Sequence, residues 1–176
     1  MKQVYRANDI SQLTGRDIFF DANIVMYIYF SSSSMKKWPA KYSAIFRQLL
    51  VNKNRLIVDY NVLSEVVNRE LRMNHSNFEA ANGPTKYKLW RNSADGQSAE
   101  ARTYAIIKSL LGSTFHLDGK VYNMSDINQM LMPSNQDFID KAIANLCKEK
   151  NYILLTNDKD FSGADLEILS ANRGLV

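Results

Sequence analysis

Asp137-Phe138-Ile139-Asp140-Lys141-Ala142-Ile143-Ala144-Asn145-Leu146-Cys147-Lys148-Glu149-Lys150-Asn151-Tyr152-Ile153-Leu154-Leu155-Thr156-Asn157-Asp158-Lys159-Asp160-Phe161 reads as one amphipathic helix followed by one buried strand. Asp140 recurs with Ile143, Ala144 and Cys147 on one helical face, and residues 152–156 form a short apolar run of strand length. Acids stand at both ends of the pair. A parallel α/β sheet gathers its functional groups at the carboxyl ends of its strands, so Asp158 and Asp160, directly after such a strand, mark a candidate site.

Working outward, the same pattern recurs at Ile18-Phe19-Phe20-Asp21, and more weakly at Leu56-Ile57-Val58, which Glu65 follows seven positions on. The first unit is a strand over 17–20 and a helical run containing Ile24, Val25, Tyr27 and Ile28, closed by a serine loop at 31–34. A second helix is expected over 39–51, with Pro39 in its first turn and Tyr42, Ile45, Phe46, Leu49 and Leu50 on one stripe. A strand at 55–58 and a helix over about 60–73, buried through Val62, Leu63, Val66 and Val67, complete a strand-helix-strand-helix opening. Residues 74–136 then read as a helical insertion: Gly83-Pro84 breaks the chain, a helix runs over 98–111 and Gly112 stops it. A short helix starts at Ser125, and Ser134 or Asn135 is placed to cap the helix that runs to about Lys150. The chain closes with a strand near 166–169. Alternating strands and helices predict an α/β fold with a mainly parallel sheet, and 176 residues fit one domain.

Composition narrows the setting. Hydrophobic residues at 45% and charged residues at 23% are those of a globular chain. Cys147 is the only cysteine, which excludes an intrachain disulfide framework and a cysteine metal cluster and points to a reducing, cytoplasmic compartment. The most apolar stretch, 18–30, is interrupted by Asp21 and Asn23 and falls short of the roughly 20 residues a bilayer requires. Residues 1–16 are polar, without the apolar centre of a secretory signal, so neither membrane insertion nor export is expected. The net charge of +4 suits an anionic partner.

Carboxylates on separate elements can hold a hard cation such as Mg²⁺ or Mn²⁺ while water and phosphate fill its remaining positions. Asp21 is the leading candidate, with an N-cap of the following helix as the competing role and Asn23 as a capping or orienting neighbour. Asp137 and Asp140 share a helix face, although Asp137 would also be favoured near the helix start by the dipole alone. Asp158 stands at a strand exit, where an Asn-Asp turn is the alternative, and Asp160 is its weaker neighbour. Glu65 falls with Asn61, Asn68 and Arg72 on a polar helix side and could pair with Arg69. Cys147 reads as a small core residue, and His75 and His116 as surface residues of loops. The chain has no glycine-rich phosphate loop, and Asp21-Ala22-Asn23 lacks the second aspartate of haloacid-dehalogenase phosphatases.

Asp21-Ala22-Asn23, Leu63-Ser64-Glu65-Val66, Asp140-Lys141-Ala142-Ile143-Ala144 and Thr156-Asn157-Asp158-Lys159-Asp160-Phe161 together resemble the PIN-domain family, particularly the VapC-type toxin ribonucleases. The resemblance covers about 17–72 and 137–169. It implies a three-layer α/β/α sandwich in which Asp21, Glu65, Asp140 and Asp158 converge on Mg²⁺ or Mn²⁺. By the same likeness Asp137, which shares the face of Asp140, is a further metal residue, and Asn23, Asn157 and Asp160 are supporting residues. The implied activity is endoribonuclease cleavage of RNA, and the implied partners are RNA, a cognate antitoxin and a second copy of the chain. The alternative is a non-catalytic RNA-binding or partner-binding module on the same fold. Lys86, Tyr87, Lys88, Trp90 and Arg91 alternate cations with rings and form one candidate RNA surface, against the competing reading of an ordinary amphipathic helix. Lys36, Lys37, Trp38 and Lys41 form a weaker second one.

Overall fold

In a computed structural model that describes residues 3–30 and 37–175, Gln3–Tyr5 (β1), Asp17–Phe20 (β2), Arg55–Val58 (β3), Phe115–Leu117 (β4), Ile153–Leu155 (β5) and Glu167–Leu169 (β6) form one sheet. Every pairing is parallel and the order is β1-β6-β5-β2-β3-β4. The α/β class and the parallel sheet expected from the sequence are therefore present. The serine loop at 31–34 and Lys36 lie outside the described residues.

β2 and β5 lie at the middle of the sheet because, past Asp17 at the start of β2, they carry only large apolar side chains. Ile18, Phe19, Phe20, Ile153, Leu154 and Leu155 are fully buried, each large side chain contributing roughly 1.5–3 kcal/mol of transfer free energy. Phe19 sits in register between Ile57 of β3 and Leu154 of β5.

The helices are Ala22–Tyr29 (α1), Lys37–Val51 (α2), Tyr60–Asn82 (α3), Tyr87–Arg91 (α4), Ala94–Ser113 (α5), Met124–Met130 (α6) and Phe138–Lys150 (α7). α1 packs on α2 and α3, and α3 on α4 and α5, whereas α6 packs on α7 and α7 on the 3-10 segment Lys159–Gly163. Right-handed crossovers put the first group on one face and the second on the other, since the chain moves from β2 to β3 to β4 in one direction and returns to β5 and β6 in the other. The reversal falls between β2 and β5. At such a switch point the helices leaving the two strands diverge and open a crevice outside the strand ends.

Several boundaries differ from expectation. β1 and the 3-10 segment Ala7–Leu13 arise in the polar start, anchored by the buried Tyr5, Ile10 and Leu13. α3 runs past 73 to Asn82 because Leu71 and Phe78 continue its buried stripe, and it ends at Gly83, whose φ of 90° a side chain would resist. His75 is thus inside a helix, mostly covered, with its Nε2 2.8 Å from the Thr85 carbonyl oxygen, and His116 lies in β4. Residues 74–136 are not only helical, for β4 closes one edge of the sheet. α7 is capped by Asp137 rather than by Ser134 or Asn135: the Asp137 carboxylate accepts the Asp140 amide at 2.8 Å. It stops at Asn151 in the left-handed conformation, with Lys148 and Lys150 in its last turn to meet the negative dipole end.

Candidate functional site at the sheet switch point

Asp21 follows β2 and is only 6% exposed. It occupies the N-cap position of α1, yet its carboxylate makes no capping hydrogen bond. Instead Oδ2 accepts from Thr156 Oγ1, at the end of β5, and from Asn23 Nδ2. The capping explanation therefore fails for the side chain. Burial pushes the Asp21 carboxyl up to about 7, the Thr156 and Ala22 hydrogen bonds pull it back, and the charges of Glu65 and Asp158 raise it further. Asp21 thus sits within the fields of acids on two other elements.

β5 supplies the opposite wall. Thr156 Oγ1 also accepts the Asp158 amide at 2.9 Å, so one hydroxyl fixes both Asp21 and the start of the Asp158 turn. Asp158 is exposed and caps the following 3-10 segment through the Asp160 amide at 3.0 Å, so the turn role holds for one of its oxygens. Asn157 is set by three contacts: its amide donates to Asn23 Oδ1 at 3.3 Å, its Oδ1 accepts from Tyr42 at 2.9 Å, and its Nδ2 donates to Tyr27 at 3.4 Å.

α7 brings Asp140 from the second helical layer. Its carboxyl is half-buried and pushed up to about 6, first by burial and then by the charges of Asp137, Asp158 and Asp160. Asp137 and Asp160 are both exposed, the former committed to capping α7. Glu65 of α3 makes the Arg69 ion pair at 3.0 Å that its helical spacing predicts, and still reaches Asp21 electrostatically. A cavity of about 290 Å³ lined by Asn61, Glu65, Arg72 and Ile139 joins α3 to the start of α7 beside these acids.

The sequence missed three polar residues here. Thr156 and Ser170 are fully buried, and Tyr42, assigned to the apolar stripe of α2, directs its hydroxyl to Thr156 O and Ser170 Oγ, each at 3.2 Å. A hydroxyl closing an apolar strand was the one available signal. Asp59 also follows a strand, β3, and is buried, but it is used locally: its carboxylate accepts from Val62 N at 2.8 Å and Asn61 Nδ2 at 2.9 Å to cap α3.

Hard oxygen donors whose protonation is raised by burial and by one another have the chemistry of a divalent-cation site, because a cation relieves both. Asp21 and Asp140 fit that description, and Glu65 and Asp158 add carboxylate oxygens whose charges act on one or both of them. Among the described residues, no three His, Cys, Asp or Glu side chains come close enough together to hold one ion, so the acids form an electrostatically linked rim rather than a closed cage. Compared with known proteins, the chain matches no family model and no curated sequence.

The candidate RNA surface on α4 is reassigned. Trp90 is 2% exposed and packs with Leu71 and Ala99, Tyr87 is tilted against it, and Arg91 is paired with Glu100 at 2.6 Å. Stacking with a base needs a free ring face, which Trp90 does not have. Lys86 and Lys88 remain exposed. Trp90→Ala is expected to cost about 3–5 kcal/mol of unfolding free energy, the range for truncating a buried aromatic, measured by urea denaturation. A loss under about 1 kcal/mol would place the ring at the surface after all. In the second group, Lys37 and Lys41 lie 4.7 and 5.3 Å from the centre of the Trp38 ring, which packs on the core.

Proposed function

We propose that the protein is a Mg²⁺- or Mn²⁺-dependent endoribonuclease of PIN type that hydrolyses RNA phosphodiester bonds by water attack, leaving 5′-phosphate and 3′-hydroxyl ends. The observation that carries this reading is the buried Asp21 carboxylate at the switch point, bound to the end of β5 through Thr156 and opposed by the charges of Glu65 and Asp158. A buried acid that caps nothing and is crowded by other acids is costly to keep, and a cation offsets that cost. When bound, such an ion lowers the pKa of a water and stabilises the leaving oxygen. Asp21, Asp140 and Asp158 are the residues that would hold it, with Glu65 directly or through water, once the open rim draws together around the ion. Thr156, Asn23 and Asn157 keep Asp21 and the Asp158 turn in register.

The same reading makes the chain a cytoplasmic toxin of a toxin-antitoxin pair, with a neutralising antitoxin and a homodimer as partners. Among the described residues no helix is long and apolar enough to cross a membrane. The open spacing of the acids favours one second reading, a non-catalytic module that binds RNA or a protein on this fold.

One incubation separates the two: purified protein with mixed RNAs in Mg²⁺, Mn²⁺ or EDTA, beside Asp21→Ala and Asp158→Ala. The nuclease cleaves only with metal and only as wild type. RNA affinity without cleavage in any metal supports the binding module, and full activity of either variant or in excess EDTA removes the mechanism.

A further inference from the structure

Beside the acid rim, on the α3–α5 side, lies a groove of about 430 Å³ whose walls are unlike the rest of the surface. Tyr60, at the start of α3, is 77% exposed, and Tyr104 of α5 is 42% exposed. Partly buried Leu63, Val67 and Ile107 form the floor between them, and Lys108 stands at its side. Tyr104 is held in place, for its hydroxyl donates to Glu100 at 2.8 Å, and the same carboxylate takes Arg91 at 2.6 Å. Among the described residues no acid lines this groove itself; Arg91 does, and Glu100 bonds both it and Tyr104. The groove meets the cavity that contains Glu65 at Ser64 and Asn68, which line both. Arg69 and Arg72 lie on that far side, Arg69 in an exposed pair with Glu65 and Arg72 over the Tyr87 ring. From Tyr60 to Arg72 the path follows α3 for roughly 18 Å at 1.5 Å per residue.

We propose that this groove, and not the buried Trp90 face of α4, is the track for single-stranded RNA leading to the acid rim, with Tyr60 and Tyr104 stacking unpaired bases and Lys108, Arg69 and Arg72 meeting phosphates. The proposal rests on the nuclease reading for its direction and adds the surface and the side chains that would carry the strand. Two rings of differing exposure over an aliphatic floor match base faces, which every nucleotide offers. Lys108 in the groove, with Arg69 and Arg72 beyond it, matches a polyanion, whereas an apolar peptide would leave Lys108 facing its backbone without a counter-charge. A duplex cannot present its base faces to the rings.

The test is fluorescence anisotropy of the full chain with a labelled 12-nucleotide single-stranded RNA in EDTA, so that binding is read without turnover, over a salt series. Tyr60→Ala and Tyr104→Ala are each expected to weaken binding about tenfold, and Tyr60→Phe to restore it, since stacking needs the ring and not the hydroxyl. Lys108→Glu is expected to weaken it and to reduce the slope of log affinity against log salt by about 1. A duplex of the same sequence binds more weakly and is insensitive to the two tyrosines. Unchanged melting temperatures for Tyr60→Ala and Lys108→Glu, both at exposed positions, show that the fold is intact. If wild type binds and cleaves RNA while all these variants bind as wild type does, the groove assignment is wrong and the nuclease reading stands. If wild type neither binds nor cleaves RNA, both fall. If Tyr60→Ala abolishes a dimer seen by light scattering and leaves RNA affinity untouched, the groove is a protein interface and the proposal is overturned.

Discussion

Asp21→Asn is expected to make the metal-free protein more stable and, at the same time, inactive. In the folded chain the Asp21 carboxyl titrates at about 7, against 3.8 for its ordinary value. Between those two pH values the folded state keeps a proton that the unfolded state has released, so the Asp21 contribution to stability is most favourable below about pH 4 and declines as pH rises to about 7. Above that window the full penalty is in force. A shift of about 3 units corresponds to about 4 kcal/mol, at 1.36 kcal/mol per unit. Asparagine removes the charge and keeps an oxygen for Thr156 and Asn23. For a chain of 176 residues the relief corresponds to a rise of about 10 °C in Tm at pH 8 without metal. At pH 4, where the wild-type carboxyl is already neutral, the two proteins melt together. Adding Mg²⁺ at pH 8 reverses the comparison: it raises the wild-type Tm by mass action and leaves the variant where it was. Thermal melts at pH 4 and 8 with and without Mg²⁺ check all four values. A variant less stable than wild type at pH 8 would mean that Asp21 is held by favourable contacts, and the idea of a strained ligand would be lost.

The acids after β2 and β5 were legible because each ends an unbroken apolar run, and a run such as Ile153-Leu154-Leu155 has few alternatives to a buried strand. The edge strands were not. β1 is Gln3-Val4-Tyr5 and β4 is Phe115-His116-Leu117, three residues each with polar members, and their pairing is decided by partners far along the chain. The same limit explains Trp90. Lys86-Tyr87-Lys88-Leu89-Trp90-Arg91 has the alternation of a nucleic-acid surface, but the environment of Trp90 is set by Leu71 and Ala99 on two other helices. Gly96 shows how close that packing is: a Cβ there would lie 2.2 Å from the Trp90 carbonyl oxygen. Glu65 carries both of its roles, because a helical position fixes its neighbour Arg69 but says nothing of a strand end across the cleft. Thr156 was hidden for a related reason, its hydroxyl reaching Asp21, which lies 135 residues away in sequence.

Asp140→Asn is expected to convert a metal requirement in the micromolar-to-millimolar range into a markedly weaker one, and to lower kcat/KM at fixed Mg²⁺ on the order of 100- to 1000-fold, the scale seen when one preorganised electrostatic group is removed. Asp140 is the acid most exposed to its fellows: burial raises it, and Asp137, Asp158 and Asp160 all add to that. Its proton must leave before a cation can take its place, and so must that of Asp21, so wild-type metal affinity should climb from about pH 5 to about 8, first as Asp140 and then as Asp21 ionises, and then level off. The variant should lose the lower part of that climb and keep the upper part, because Asp140 is gone while Asp21 still titrates at about 7, and high Mn²⁺ should restore part of its activity by filling the weakened site. Asp137→Asn separates ligand from cap. Asparagine still accepts the Asp140 amide as an N-cap, so a small change in Tm with a modest rise in the metal required marks Asp137 as an electrostatic neighbour. Isothermal titration with Mn²⁺ across pH 5 to 8, beside cleavage rates, reads every one of these outcomes. Metal affinity for Asp140→Asn equal to that of wild type would place the ion away from α7, and equal cleavage in EDTA would leave the acid rim without a catalytic purpose.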